Sequence, residues 1–300
     1  MLDFSKMRLV FEEDFDVELK EGNWANSIYT EHFYPETIKF GVGKDLDGNE
    51  CDKPSALVDT NISAKDGKLI LTAKGGDSDI YTGSELRTKE FFNHGYFEIK
   101  AKINTSKGIC PAFWLLGSRD SKSKIEYEID IFECFGRMPN IIKNTLLAHN
   151  YPYGSKGGNQ GTEHRFIYKR LDEKPFPEKD MVKTFADNFN YTFFKGNWGE
   201  EFHTFGLDWK PDSITWYIDG KPMLTSNPSE VFDGKYIYDE PMFVILTCYS
   251  GRDVCSPMTG FPDETTDWKN GNHIEIDYLK VWQYHNTCGG IRRALRFRRC

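Results

Sequence analysis

The sequence predicts an all-β protein folded as a two-sheet antiparallel β-sandwich. Three observations carry that reading. Apolar and polar residues alternate at period two in several separate stretches, turn signals centred on Gly, Asp and Pro fall between them, and no window holds a helical amphipathic pattern longer than about two turns. A chain of 300 residues suits one large domain of this kind, because sandwiches commonly run to roughly 200–250 residues before tails are added. No repeat with a period of about 20–50 residues is present.

In chain order, Lys68-Leu69-Ile70-Leu71-Thr72-Ala73 reads as a half-buried strand, and so does Tyr96-Phe97-Glu98-Ile99-Lys100-Ala101-Lys102-Ile103. The run Lys107-Gly108-Ile109-Cys110-Pro111-Ala112-Phe113-Trp114-Leu115-Leu116-Gly117 is an apolar strand entered through a Gly break. Ser213-Ile214-Thr215-Trp216-Tyr217-Ile218-Asp219 alternates again and is bracketed at hairpin spacing by Lys210-Pro211-Asp212 and Asp219-Gly220; Asp66-Gly67 marks an earlier turn. Two stretches break the rhythm and read as long loops. Residues 29–54 are rich in Gly and charge, and residues 151–201 carry Gly154, Gly157, Gly158, Gly161 and a charged segment over 172–183. The aromatics of these stretches (Tyr29, Phe33, Tyr34, Tyr151, Tyr153, Phe193, Phe194, Trp198) favour a functional reading.

Composition narrows the partner. A net charge of −8 argues against nucleic acid, whose phosphates are met by clustered Lys and Arg. The five arginines of the last nine residues carry +5, so the preceding 291 residues hold −13. The organisation expected is therefore a single domain over 1–287 and a separate, disordered basic tail over 288–300. With 23 Phe, 15 Tyr and 7 Trp, the chain has more rings than a core alone demands, and some are expected to face a ligand. Seven cysteines, odd in number and without CxxC spacing, indicate neither a zinc site nor a complete disulfide framework. No run of about 18 apolar residues occurs, so no membrane span is expected, and Asn61, Asn104 and Asn190 sit in N-x-S/T sequons.

The segment richest in chemistry is Ile125-Glu126-Tyr127-Glu128-Ile129-Asp130-Ile131-Phe132-Glu133. Ile129 and Ile131 alternate with Glu128 and Asp130, which puts apolar residues on one face and acids on the other. Glu133 breaks the pattern. Five residues from Glu128, it falls on the apolar face of a regular strand, where burying a charge costs several kcal/mol. A one-residue β-bulge near Phe132 restores parity and brings Glu128, Asp130 and Glu133 onto one surface. An acidic face is by itself also the ordinary pattern of a solvated strand. Three acids in a row, however, suit glycoside hydrolysis, in which one carboxylate attacks the anomeric carbon and a protonated partner donates to the leaving oxygen. The Cα atoms of Glu128 and Glu133 lie roughly 13 Å apart at strand rise, so their long side chains must lean together over the shorter Asp130.

Glu128-Ile129-Asp130-Ile131-Phe132-Glu133 resembles the bulged ExDxxE signature of glycoside hydrolase family 16, the laminarinases, lichenases, agarases and carrageenases. The resemblance extends over roughly residues 8–285. Leu9-Val10-Phe11-Glu12-Glu13-Asp14-Phe15-Asp16, Ser84-Glu85-Leu86-Arg87-Thr88-Lys89, Gly95-Tyr96-Phe97-Glu98, Phe202-His203-Thr204-Phe205-Gly206-Leu207-Asp208-Trp209 and Ile276-Asp277-Tyr278-Leu279-Lys280-Val281-Trp282 all resemble family segments in order. The resemblance implies a jelly-roll, concanavalin A-like sandwich with a concave cleft and a secreted enzyme acting on an extracellular polysaccharide. It makes Glu128 the nucleophile, Glu133 the general acid and then base, and Asp130 the helper that tunes Glu128. Trp114 resembles a sugar-stacking ring, with a core Trp as the alternative; Arg87 resembles a cleft residue, with a surface ion pair as the alternative; and His149 resembles a histidine near the acid/base. Trp209 and Trp216 are expected in the core. Asp277 and Asp14 resemble part of a structural calcium site, while catalysis itself needs no cofactor, and a monomer is expected.

Several positions depart from the family pattern. Cys110 replaces the first Trp of the WPAxW stretch, Thr247 replaces an Asn, and Gly251-Arg252-Asp253 lacks the expected glycine pair and Trp. The expected activity is that of a retaining endo-hydrolase of β-1,3- or mixed β-1,3/1,4-glucan. A β-galactan hydrolase of the agarase, carrageenase or keratan-cleaving kind and a non-catalytic carbohydrate-binding protein are the alternatives. Cys110 favours the galactan alternative.

Overall fold

A computed structural model describes residues 2–16, 19, 24–26, 55–117, 125–149, 162–166, 192–196, 198–231, 238–250, 259–285 and 292–293. The strands among them are β1 (Met7–Glu13), β2 (Trp24–Asn26), β3 (Ser55–Leu57), β4 (Ile62–Lys65), β5 (Lys68–Thr72), β6 (Tyr81–Thr88), β7 (Glu90–Phe91), β8 (Gly95–Thr105), β9 (Ile109–Gly117), β10 (Glu126–Cys134), β11 (Ile141–His149), β12 (Thr162–Phe166), β13 (Thr192–Lys195), β14 (His203–Trp209), β15 (Ile214–Ile218), β16 (Lys221–Ser226), β17 (Met242–Ser250), β18 (Asn272–Tyr284) and β19 (Arg292–Arg293). One helical turn, Pro228–Val231, is the longest α-helix among the described residues.

The strands form two large sheets, with β7 and β19 as a separate two-stranded pair. The back sheet runs β16-β15-β14-β8-β18-β5-β4 with β1 also on β18, and the front sheet runs β12-β11-β10-β9-β17-β6-β2 with β13 on β11 and β3 on β6. All pairs are antiparallel except β3 with β6. The period-two pattern explains the layering. Phe97, Ile99, Leu207 and Val281 of the back sheet and Phe113, Leu115, Ile129, Val244 and Leu246 of the front sheet are fully buried between the two, each contributing about 1.5–3 kcal/mol relative to exposure. Trp209 and Trp216 lie in this core as the sequence predicts.

The turns form where they were expected. Asp66-Gly67 and Asp219-Gly220 both adopt positive φ (53° and 70°; 49° and 69°), the conformation a tight two-residue hairpin requires. Gly95 opens β8 at φ +128°, and a Cβ there would sit 2.1 Å from the Trp282 carbonyl oxygen. Only glycine lets β8 lie against β18 at this point.

Some expectations need correction. The stretch 151–201 is not loop throughout, because Thr162–Phe166 and Thr192–Lys195 both add to the free edge of β11. Trp198 is 5% exposed and packs edge-on against His203 and Phe205, so it serves the core rather than a ligand. Within the basic tail, Arg292–Arg293 pair with Glu90–Phe91; the rest of 288–300 and all of 29–54 lie outside the described residues. The Asn61 amide donates to Thr82 Oγ1 and the Gly83 carbonyl, and the Asn104 amide contacts His273 Nε2. Cys110, Cys134 and Cys248 are buried thiols outside any disulfide, and the other four cysteines lie outside the described residues.

The bulge is present in β10. On the β9 side the register steps from Asp130↔Trp114 to Phe132↔Phe113, so Ile131 is the extra residue. Ile131 and Phe132 both enter the core, and Glu133 returns to the outer face opposite Ala112. A bulge strands ladder carbonyls, and a buried carbonyl needs a donor. Two side chains supply them: Trp216 Nε1, reaching across from the back sheet, donates to the Asp130 carbonyl at 2.9 Å, and the Asn144 amide donates to the Ile131 carbonyl. Replacing Trp216 with Phe orphans the first of these carbonyls, at a cost of about 1–3 kcal/mol on that account alone. Urea titration is expected to show a lower midpoint at unchanged slope, and a wild-type midpoint would mean that the carbonyl has another donor.

Candidate active site

Because the front sheet is antiparallel, its cross-strand register lays the outward side chains in rows. One row runs Glu85, Thr247, Ala112, Glu133, Lys143 across β6, β17, β9, β10 and β11. The next runs Arg87, Ile245, Trp114, Asp130, Thr145. A third runs Phe243, Leu116, Glu128, Leu147. The three acids therefore occupy consecutive rows on a single strand, and the bulge alone puts Glu133 in register with them.

Their environment is dry on one side and charged on the other. Asp130 is 3% exposed and Glu133 9%, whereas Glu128 is only half-buried. Asp130 is hydrogen-bonded to Glu128, and burial, reinforced by the nearby Glu133 and Glu128 charges, pushes its carboxyl well above the usual carboxylate range. Asp130 is thus held as the neutral acid and donates to Glu128. Glu133 Oε2 lies 2.5 Å from Lys143 Nζ, with both side chains about one-tenth exposed, and Thr145 Oγ1 donates to the same oxygen at 3.5 Å. Lys143 Nζ also sits 5.3 Å over the Phe135 ring. A neutral acid between two longer carboxyls on one face supplies the groups that nucleophilic attack with proton transfer requires.

The remaining candidates are placed as follows. Trp114 lies on the same face beside Asp130 but is 7% exposed, packed among Ala112, Leu116, Phe243 and Ile245, with little ring left for a sugar. Its indole Nε1 is buried without a hydrogen-bond partner among the described residues. Arg87 is on the face too, its guanidinium 5.3 Å from the Phe243 ring centroid. Three strand steps, about 14 Å, separate it from Asp130. The backbone of His149 pairs with Glu126 at the far end of β10, and its side chain lies outside the described residues. Asp277 faces out from the back sheet with Lys100 Nζ 2.7 Å from its Oδ2, while exposed Asp14 accepts from the Asp16 amide. A calcium ion at Asp277 would have to displace Lys100. Among the described residues no three His, Cys, Asp or Glu side chains group to hold a metal.

Sequence reasoning did not single out two features of this face. Lys143 is one, and its only signal was a lone charge inside the apolar run Ile141-Ile142-Lys143. The other is Glu85, 2% exposed at the far end of the Glu133 row, which accepts from Tyr249 Oη at 2.5 Å.

Comparison with known proteins agrees with this geometry. Residues 47–284 match the family described as beta-porphyranase A-D, GH16 domain. The chain is 29% identical over 245 residues to a glucan endo-1,3-beta-glucosidase of Cryptopygus antarcticus, covering 75% of this chain and 78% of that protein. It is 25% identical to the endo-1,3-1,4-beta-glycanase ExsH of Rhizobium meliloti, over 94% of this chain and 53% of that one. Among solved structures, the laminarinase catalytic domain from Thermotoga maritima superposes with a TM-score of 0.62 at 25% identity, covering 94% of this chain and all of that domain.

The raised Asp130 carboxyl makes folding pH-dependent. Above about pH 4 the unfolded chain releases this proton while the folded chain still binds it, so stability is lost as pH rises toward the folded-state value. Asp130→Asn removes this titration. Its Tm relative to wild type is expected to climb from pH 4 to pH 7 in a thermal melt series, and a difference that stays flat with pH would refute the neutral-acid assignment.

Proposed function

The chain belongs to glycoside hydrolase family 16 and is a glycoside hydrolase, and from that premise we propose that it cleaves internal linkages of a β-1,3- or mixed β-1,3/1,4-glucan with retention of configuration. The observation that carries the proposal is the bulge at Ile131, which sets Glu133 on the face of Glu128 and Asp130. Glu128 attacks the anomeric carbon, the bond to the leaving sugar breaks, and the proton on Glu133 passes to the departing oxygen. Water then attacks the same carbon, gives its proton to Glu133, and the ester to Glu128 breaks, returning both groups to their starting states. Asp130, whose carboxyl burial raises, hydrogen-bonds Glu128 and supports it as charge leaves and returns.

The glucan assignment draws support from the relatives, a glucan endo-1,3-beta-glucosidase and an endo-1,3-1,4-beta-glycanase. A β-galactan substrate is the second reading. Two observations favour it: the matched family is that of porphyranases, and the outer face of β9 carries Cys110 where a stacking Trp stands in most of the family. A polymer is too large to enter a cell, so the enzyme acts outside it.

The discriminating assay measures new reducing ends from laminarin, lichenan, agarose, porphyran, κ-carrageenan and a poly-N-acetyllactosamine glycan. Laminarin or lichenan is expected to be cut, with Glu128→Gln slower by about a thousandfold or more and product NMR showing the β-anomer first. Cleavage confined to the galactans would replace the glucan assignment, and binding without cleavage on every substrate would remove the hydrolase reading of the site.

A further inference from the structure

Lys143 has no role in the chemistry as described, yet its ammonium lies 2.5 Å from Glu133 Oε2 on the catalytic face. We infer that Lys143 is the positioning residue for the acid/base, fixing Glu133 Oε2 so that Glu133 Oε1 carries the proton to and from the glycosidic oxygen. The inference rests on the assignment of Glu133 as acid/base.

The argument is geometric. Glu133 and Lys143 are direct cross-strand partners on β10 and β11, and the bulge ends at Glu133, so the same register shift that exposes this carboxyl sets it against the lysine. Lys143 is itself held. Its ammonium lies over the Phe135 ring, its backbone is paired on the other side with Phe193, and only about one-tenth of its side chain is exposed. Thr145 donates to the same Oε2. A glutamate has three rotatable side-chain bonds, and proton transfer fails when the carboxyl wanders from the bond it must reach; a misplacement of about 1 Å costs on the order of a hundredfold. Glu128 and Asp130 precede Glu133 on its own strand, and a carboxyl left untethered beside these acids would swing away from them. On the β9 side the neighbour is Ala112, whereas β11 supplies both Lys143 and Thr145 to Glu133 Oε2.

Leaving-group dependence tests the inference. An aryl glycoside with a dinitrophenolate leaving group departs without proton donation, whereas laminarin needs it. For Lys143→Met, kcat on laminarin is expected to fall about ten- to a hundredfold at unchanged KM. The dinitrophenolate burst from 2,4-dinitrophenyl β-laminaribioside should stay within about twofold of wild type, and Lys143→Arg should restore most of the laminarin rate. Equal losses on both substrates, or no loss on either, would overturn the inference. If Lys143→Met does not reach a wild-type melting profile, Lys143→Gln, which keeps a donor and loses the charge, is judged by the same pair of substrates. Glu133→Ala keeps the underlying assignment separate: it should lose laminarin turnover and regain dinitrophenyl glycoside turnover with azide. Wild-type laminarin turnover in that variant would sink the assignment itself, whatever Lys143 does.

Discussion

One inserted residue governs this site. Ile131 adds a step to β10, and every residue after it changes face, which turns Glu133 from the core toward the surface that already holds Glu128 and Asp130. The insertion is stable because the core accepts both Ile131 and Phe132 side by side and because Trp216 and Asn144 donate to the carbonyls it displaces. A tryptophan of the back sheet thus helps hold the catalytic strand of the front sheet in shape. Sandwich packing and active-site geometry are one problem here, since the ring that fills the core also supplies the donor.

Burial then sorts the three acids. Asp130, short and deep, is kept neutral by desolvation and by the glutamates on either side. Of the longer acids on either side, Glu128 is less buried and hydrogen-bonded to Asp130, and Glu133 is anchored to Lys143. In the order long, short, long along one strand, it is the short middle acid whose carboxyl burial raises. The rows across the sheet continue this division, with Trp114 and Ile245 flooring the Asp130 row and Glu85 with Tyr249 closing the Glu133 row.

Much of this was legible from local pattern. Alternation locates β5, β8 and β15, the Asp-Gly pairs locate two hairpin turns, and the parity conflict at Glu133 requires a bulge. What escaped depended on register or on distant partners. β12 and β13 sit in a Gly- and charge-rich stretch with no alternation to announce them, and they form because β11 offers an open edge. Lys143 meets Glu133 only through the pairing of β10 with β11. Lys100 and Asp277, which set the character of the supposed calcium face, are 177 positions apart. Trp198 read as a ligand-facing loop ring because burial between sheets leaves no trace in a segment without periodicity.

The most direct test is a crystal structure of the enzyme trapped with a 2-deoxy-2-fluoro-β-laminaribioside carrying a dinitrophenyl leaving group. The account predicts a covalent bond from Glu128 to the anomeric carbon, with the Glu133 carboxyl on the same face about 5–5.5 Å away. A sugar bonded to any other residue, or a Glu133 side chain directed between the sheets, would contradict it.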